Sequence, residues 1–185
     1  MTSKVKINPL PPIEILEARY RLVDHIEGIV ARDYIVNPGK SKRGTKDGDQ
    51  VGSLTNKQGR RQAEVTWLED GEYRCVRVQV SRIVYRMAYG PFDESLYVDH
   101  IDGDPSNNHP SNLRTCTAQE NMRNAKRRDT KADALPKGIR KVGDEYHVFI
   151  DIGNGKGPVP FQNIRAASQY ATQIRNRYHG EFARN

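Results

Sequence analysis

Residues 97–124 read Tyr-Val-Asp-His-Ile-Asp-Gly-Asp-Pro-Ser-Asn-Asn-His-Pro-Ser-Asn-Leu-Arg-Thr-Cys-Thr-Ala-Gln-Glu-Asn-Met-Arg-Asn. Just ahead of them, the apolar run Leu96 to Val98 predicts a strand that ends on Asp99-His100. The Gly, Asp, Pro and Asn residues that follow favour turns and supply nothing for a core. Asn112-Leu113-Arg114 predicts a second strand, and Ala118 to Arg128 predicts a helix. The order is therefore strand, loop, strand, helix within one supersecondary unit.

The polar residues of this unit suit hydrolysis of a phosphodiester. That reaction needs an activated water, neutralised charge at phosphorus and help for the leaving oxygen. A neutral histidine accepts a proton from water near neutral pH. A hard divalent cation stabilises the developing charge. Magnesium prefers oxygen ligands and keeps several waters, so one carboxylate and one amide oxygen can suffice from the protein. Asp99-His100, Asn112 in Ser-Asn-Leu-Arg and Asn121 in Gln-Glu-Asn-Met-Arg-Asn resemble the HNH endonucleases. Within that family they resemble the phage and homing-type branch, in which Asn replaces the last His.

The resemblance implies His100 as general base and Asp99 with Asn121 as the metal pair, holding magnesium or, as second choice, manganese. It implies that Asn112 ties the loop to the strand and orients the His100 ring. Asn124, about one helical turn beyond Asn121, is the rival ligand. Asn108 and Arg114 read as loop-fixing or phosphate-facing residues. Alternation along a strand sends Asp99 and His100 to opposite faces, so both serve one site only if the strand ends or distorts there. The turn signal Asp102-Gly103-Asp104-Pro105 provides such an ending.

The chain has 185 residues and a formal net charge of +7, which suits a polyanionic partner without separating DNA from RNA. Only 36% of residues are hydrophobic and 29% are charged, so a thin, surface-rich protein is expected rather than one large core. No apolar run approaches a membrane span, and the stretch Met1 to Ile7 lacks the apolar segment of a signal peptide. The expected location is the cytoplasm, that of a host cell if the chain is phage-encoded. Cys75 and Cys116 stand far apart with no Cys-x-x-Cys pair. The structural zinc carried by some HNH proteins is therefore not expected, and both thiols should be free, half-buried strand residues.

Before the motif, Pro11-Pro12 can open a helix with Ile13, Leu16 and Tyr20 on one face. Short strands are expected at Leu22-Val23, at Gly28 to Val30 and at Tyr34 to Val36. Residues 37–49 form a basic, Gly-rich loop whose Lys40, Lys42, Arg43 and Lys46 could line a phosphate backbone, although it lacks the spacing of a nucleotide-binding loop. Gln62 to Leu68 and Tyr73 to Val80 predict a hairpin around Asp70-Gly71. Ser81 to Tyr89 predicts a helix stopped by Gly90-Pro91. After the motif, Arg123, Lys126, Arg127 and Arg128 make the helix end basic. Cations there suit the helix dipole, and beside the motif they point to phosphate contact.

Residues 137–185 predict three short strands followed by a helix that Asn163 caps. This pattern is similar to the AP2 domain. The resemblance implies a DNA-facing sheet surface at Arg140, Val142, His147, Phe149 and Asp151. The expected fold class is α+β. It comprises an HNH domain over residues 1–128, with an N-terminal β-hairpin region and a ββα-metal core at about 96–128. A linker at 129–136 leads to an AP2-like DNA-binding domain at 137–185. The expected function is metal-dependent cleavage of double-stranded DNA, by a monomer that nicks or a homodimer that can cut both strands. The alternative is a catalytically inactive DNA-binding protein that keeps the HNH fold.

Overall fold

The computed structural model describes residues 7–22, 29–31, 51–55, 59–125, 135–150 and 157–183. The expected strand at Tyr34 to Val36 and the basic loop at 37–49 lie outside the described residues. The chain divides into two compact units, Met1–Thr117 and Ala118–Asn185.

In the first unit, α1 (Ile13–Arg19) leads directly into β1 (Tyr20–Leu22), which pairs antiparallel with β2 (Ile29–Ala31). Pro12 stands at the N-cap of α1, where a missing N–H costs no helical bond. Tyr20, expected on the helix face, instead opens β1 and reaches the core from there at 8% exposure. Pairing with Ala31 and the preference of aromatic residues for strands outweigh the helical spacing.

Strands β3 (Ser53–Leu54), β4 (Arg61–Glu69) and β5 (Glu72–Gln79) form an antiparallel sheet with β4 in the middle. The β4–β5 turn places Asp70 at φ 51 and Gly71 at φ 79. Two positive φ values in a two-residue loop match the strand twist. Alternation buries Ala63, Val65 and Val78 and leaves Glu64 and Arg77 outside, paired at 3.2 Å. Cys75, opposite Thr66 in the register, is exposed, whereas Cys116 is buried, so neither matches the half-buried expectation.

Helix α2 (Val80–Tyr89) follows without a loop, so Val80 starts the helix rather than ending the strand. Val80, Ile83 and Val84 pack with Leu16, Val65, Val98 and Leu113. Val98 and Leu113 belong to β6 (Tyr97–His100) and β7 (Leu113–Cys116), the two-stranded ribbon that carries the motif. Each such buried side chain contributes about 1.5–3 kcal/mol, so the core fixes the ribbon through these two residues. Arg82, 5% exposed, donates to the carbonyls of Leu96 at 2.6 Å and Glu94 at 3.0 Å. It thereby pins the entry to β6.

The second unit opens with α3 (Ala118–Asn124). Its antiparallel sheet is formed by β8 (Ile139–Val142), β9 (Glu145–Val148) and β10 (Val159–Phe161), with β9 central. Helix α4 (Ile164–His179) lies on this sheet. Its small residues Ala167 and Ala171 allow close packing on Ile139 and Val148. Asn163 Oδ1 accepts from the Ala166 N–H at 2.8 Å and caps α4. The sequence places a boundary in the linker 129–136, but the compact units divide at Thr117. Helix α3 groups with the C-terminal sheet and helix, packing on the 3₁₀ turn Gly180–Phe182. Among the described residues, no helix is long and apolar enough to cross a membrane.

Candidate active site

The register of the ribbon sets Asp99 opposite Arg114 and His100 opposite Leu113. Directly opposed residues share a face and successive residues alternate. Asp99 and Arg114 therefore lie on one side of the ribbon, and His100 and Leu113 on the other. The strand ends on Asp99-His100, as the sequence predicts, with His100 its last residue. Both are buried, with 8% and 7% exposure.

His100 Nε2 and Asn108 Oδ1 are 3.0 Å apart. An amide oxygen can only accept, so the neutral ring carries its proton on Nε2 and keeps Nδ1 as an acceptor. Burial pushes the imidazole below the ordinary histidine value; the bond to Asn108 opposes this, the nearby Arg60 charge adds to it, and the Asp99 and Asp102 carboxylates oppose it. The net result favours a neutral ring, the form a general base needs. Arg60 is carried to this region by the segment before β4. There Gly59 adopts φ +88, and a Cβ on it would lie 2.8 Å from Ser106 Cβ. A glycine at that position lets the segment close on the loop after His100.

Asp99 Oδ2 accepts from Arg114 Nε at 3.2 Å and Nη2 at 3.1 Å, with the two side chains 9% and 12% exposed. Arg114, read from the sequence as loop-fixing or phosphate-facing, sets its guanidinium against the motif aspartate. Asn112 performs the loop-to-strand tie. Its Nδ2 donates to Asp102 Oδ1 at 3.0 Å and to the Asn107 carbonyl at 2.8 Å, and its Oδ1 accepts from the Asp102 N–H at 3.1 Å. The ring contact expected of Asn112 is made by Asn108, which is 2% exposed. Burial works to raise the Asp102 carboxyl, but bonds from the Asp104 N–H, Asn112 and Asn107 outweigh it and hold the group below its ordinary value. Asp102 is thus an ionised organiser of the loop.

Residues 78–123 match the HNH endonuclease family. Asp99, His100, Asn112 and Asn121 fall inside the HNH match, and Asn124 falls one residue beyond it. The chain is similar to an uncharacterised HNH endonuclease of Acanthamoeba polyphaga mimivirus, with 34% identity over 116 residues, 60% of this chain and 58% of that protein. It therefore spans less than two thirds of that relative. It is also similar to Protein 3.8 of Escherichia phage T7, with 28% identity over 103 residues, 55% of this chain and 84% of that one. Among solved structures it is similar to the HNH homing endonuclease I-HmuI, with 23% identity and a TM-score of 0.36, over 62% of this chain and 55% of that one. That structure is described as showing DNA binding and cleavage by I-HmuI.

Among the described residues, no three His, Cys, Asp or Glu side chains cluster as a metal site. The motif's donors are one carboxylate and neutral amides. A carboxylate offers about four lone-pair positions, and Arg114 engages Oδ2 of Asp99. Such a donor set fits a hard cation that draws its other ligands from water and phosphate.

In the second unit, Asn121 lies half-buried on α3, while its rival Asn124 is buried at 5% exposure. Arg123 is half-buried on the same helix. Arg140 and His147 are register partners on the sheet. The Arg140 guanidinium sits 4.7 Å from the Phe149 ring centroid, and His147 stacks on Phe149 at 6.5 Å. Val142 is 49% exposed. Glu145 places a carboxylate 3.2 Å from His147, a negative charge that the sequence pattern left out of account. Lys126, Arg127, Arg128 and Asp151 lie outside the described residues.

Neither Asn108 nor Arg60 was legible as a functional partner. Asn108 reads from the sequence as a loop-fixing or phosphate-facing residue and not as the partner of the His100 ring, and Arg60 is 40 positions before His100 with no motif of its own.

Proposed function

We propose that this chain is a metal-dependent HNH endonuclease that hydrolyses phosphodiester bonds of double-stranded DNA. The observation that carries the reading is His100, buried at the end of the motif strand next to Asp99, held through Nε2 by Asn108 and kept neutral chiefly by its burial. The net charge of +7 and the Arg140–Phe149–His147 surface support a polyanionic partner.

In this reading His100 Nδ1 takes a proton from a water molecule, whose oxygen attacks phosphorus. The bond to O3′ breaks and O3′ gains a proton, leaving a 3′-hydroxyl. Asp99 is the carboxylate that would hold a magnesium or manganese ion, and Asn121 is retained as its amide partner on the sequence argument. When bound, the cation supplies charge neutralisation at the phosphate and its leaving oxygen. Arg114 orients the buried Asp99 carboxylate.

The test is supercoiled plasmid incubated with the protein and magnesium, with and without chelator. Conversion to open circles that is lost in His100→Ala, while DNA binding persists, is the expected result. Asn121→Ala should weaken the magnesium dependence. Binding without cutting, on the DNA of the protein's own source, would replace this reading with that of an inactive DNA-binding protein.

A further inference from the structure

The second unit holds α3 by a device that the nuclease reading does not use. Lys137 Nζ donates to the carbonyls of Arg123 at 2.8 Å and Ala125 at 2.6 Å. These are carbonyls at the C-terminal end of α3, the end of a helix where backbone acceptors need partners. An ammonium there satisfies them and suits the negative end of the helix dipole. The Lys137 carbonyl in turn accepts from Arg175 Nη2 on α4. Arg175 is 4% exposed, and burial depresses its pKa. A buried arginine that holds the chain before β8 is a costly arrangement for a linker and a reasonable one for a strut. At the same time, α3 packs on the turn Gly180–Phe182, and Phe182 is 9% exposed.

We propose that Lys137 and Arg175 are positioning residues. They brace α3, the helix that carries Asn121, against the C-terminal sheet and helix. A seven-residue helix is too short to be stable alone, so its geometry must come from such tertiary contacts. The proposal rests on the reading above in assigning Asn121 to the site.

The test uses the full chain and the variant Lys137→Met, which keeps the aliphatic stem of a half-buried residue, with Lys137→Arg as rescue. The first readout is amide hydrogen exchange of α3 in metal-free protein. Lys137→Met should raise it about tenfold, in line with the loss of charge-assisted bonds, and Lys137→Arg should restore it. The second readout is cleavage. The same variant should lower kcat at saturating DNA and leave DNA affinity and its salt slope unchanged, whereas loss of a phosphate contact would reduce both. Unchanged α3 exchange in a folded Lys137→Met protein overturns the brace. Raised exchange with unchanged kcat overturns its role in positioning. Wild-type protein that does not cut would instead refute the nuclease reading and leave the exchange result standing.

Discussion

Asn108→Ala tests the ring contact on which the proposed chemistry depends. The substitution removes the acceptor 3.0 Å from His100 Nε2 in a pocket where Asn108 is 2% and His100 7% exposed. Little water reaches the orphaned N–H, and a buried donor left without a partner costs about 1–3 kcal/mol. Urea unfolding should show a loss of that size. The kinetic effect has a separate origin. With Oδ1 gone, nothing of that residue selects the tautomer that leaves Nδ1 as the base. A well-placed base contributes roughly 10²- to 10⁴-fold, and losing the group that orients a functional histidine costs about 10- to 100-fold. Single-turnover nicking of supercoiled plasmid should slow by that factor with DNA affinity intact. Asn108→Asp separates geometry from charge. A carboxylate beside the ring favours imidazolium, so the acidic limb of the pH–rate profile should move upward. Asn108→Ala protein that cuts at the wild-type rate with the wild-type profile would refute the reasoning.

Two further outcomes follow from the same ribbon. Arg114→Leu removes the guanidinium from the buried Asp99 carboxylate, and breaking a buried pair from one side should cost roughly 3–5 kcal/mol in urea unfolding of metal-free protein; a loss under about 1 kcal/mol, the size measured for solvated pairs, would show that the pair is hydrated. The His100 ring signal in metal-free protein should titrate below the ordinary histidine value. Because the unfolded chain takes up that proton first as pH falls, this contribution to stability is complete above the unfolded value and is lost between it and the folded one. Unfolding followed across that window should show the decline, and His100→Gln should remove it.

Much of the local structure was legible because it is governed by near neighbours. Asp70-Gly71 announces a turn that only residues tolerant of positive φ can make. Val78 and its strand neighbours alternate, and Asn163 caps α4 as its side chain dictates. Boundaries slipped where a tertiary contact outbid the local signal, as when Tyr20 left the helix to pair with Ala31. Arg114 had the look of a phosphate ligand because sequence cannot show which carboxylate faces an arginine. The cross-strand register decides that, and it sets Asp99 opposite.

The sequence by itself determined the order strand–loop–strand–helix, the positions of Asp99, His100, Asn112 and Asn121, and the basic balance of the chain. The element order and charge depend on residue type and periodicity, and the four positions on resemblance to the HNH motif. Tertiary structure alone decided which neighbour each of these residues meets: Asn108 on the His100 ring, Arg114 on Asp99, and Lys137 on the end of α3. These partners depend on strand register and on chain segments that return from 8 to 15 positions away. Hydrogen bonding and burial select them only once the core has closed around the ribbon.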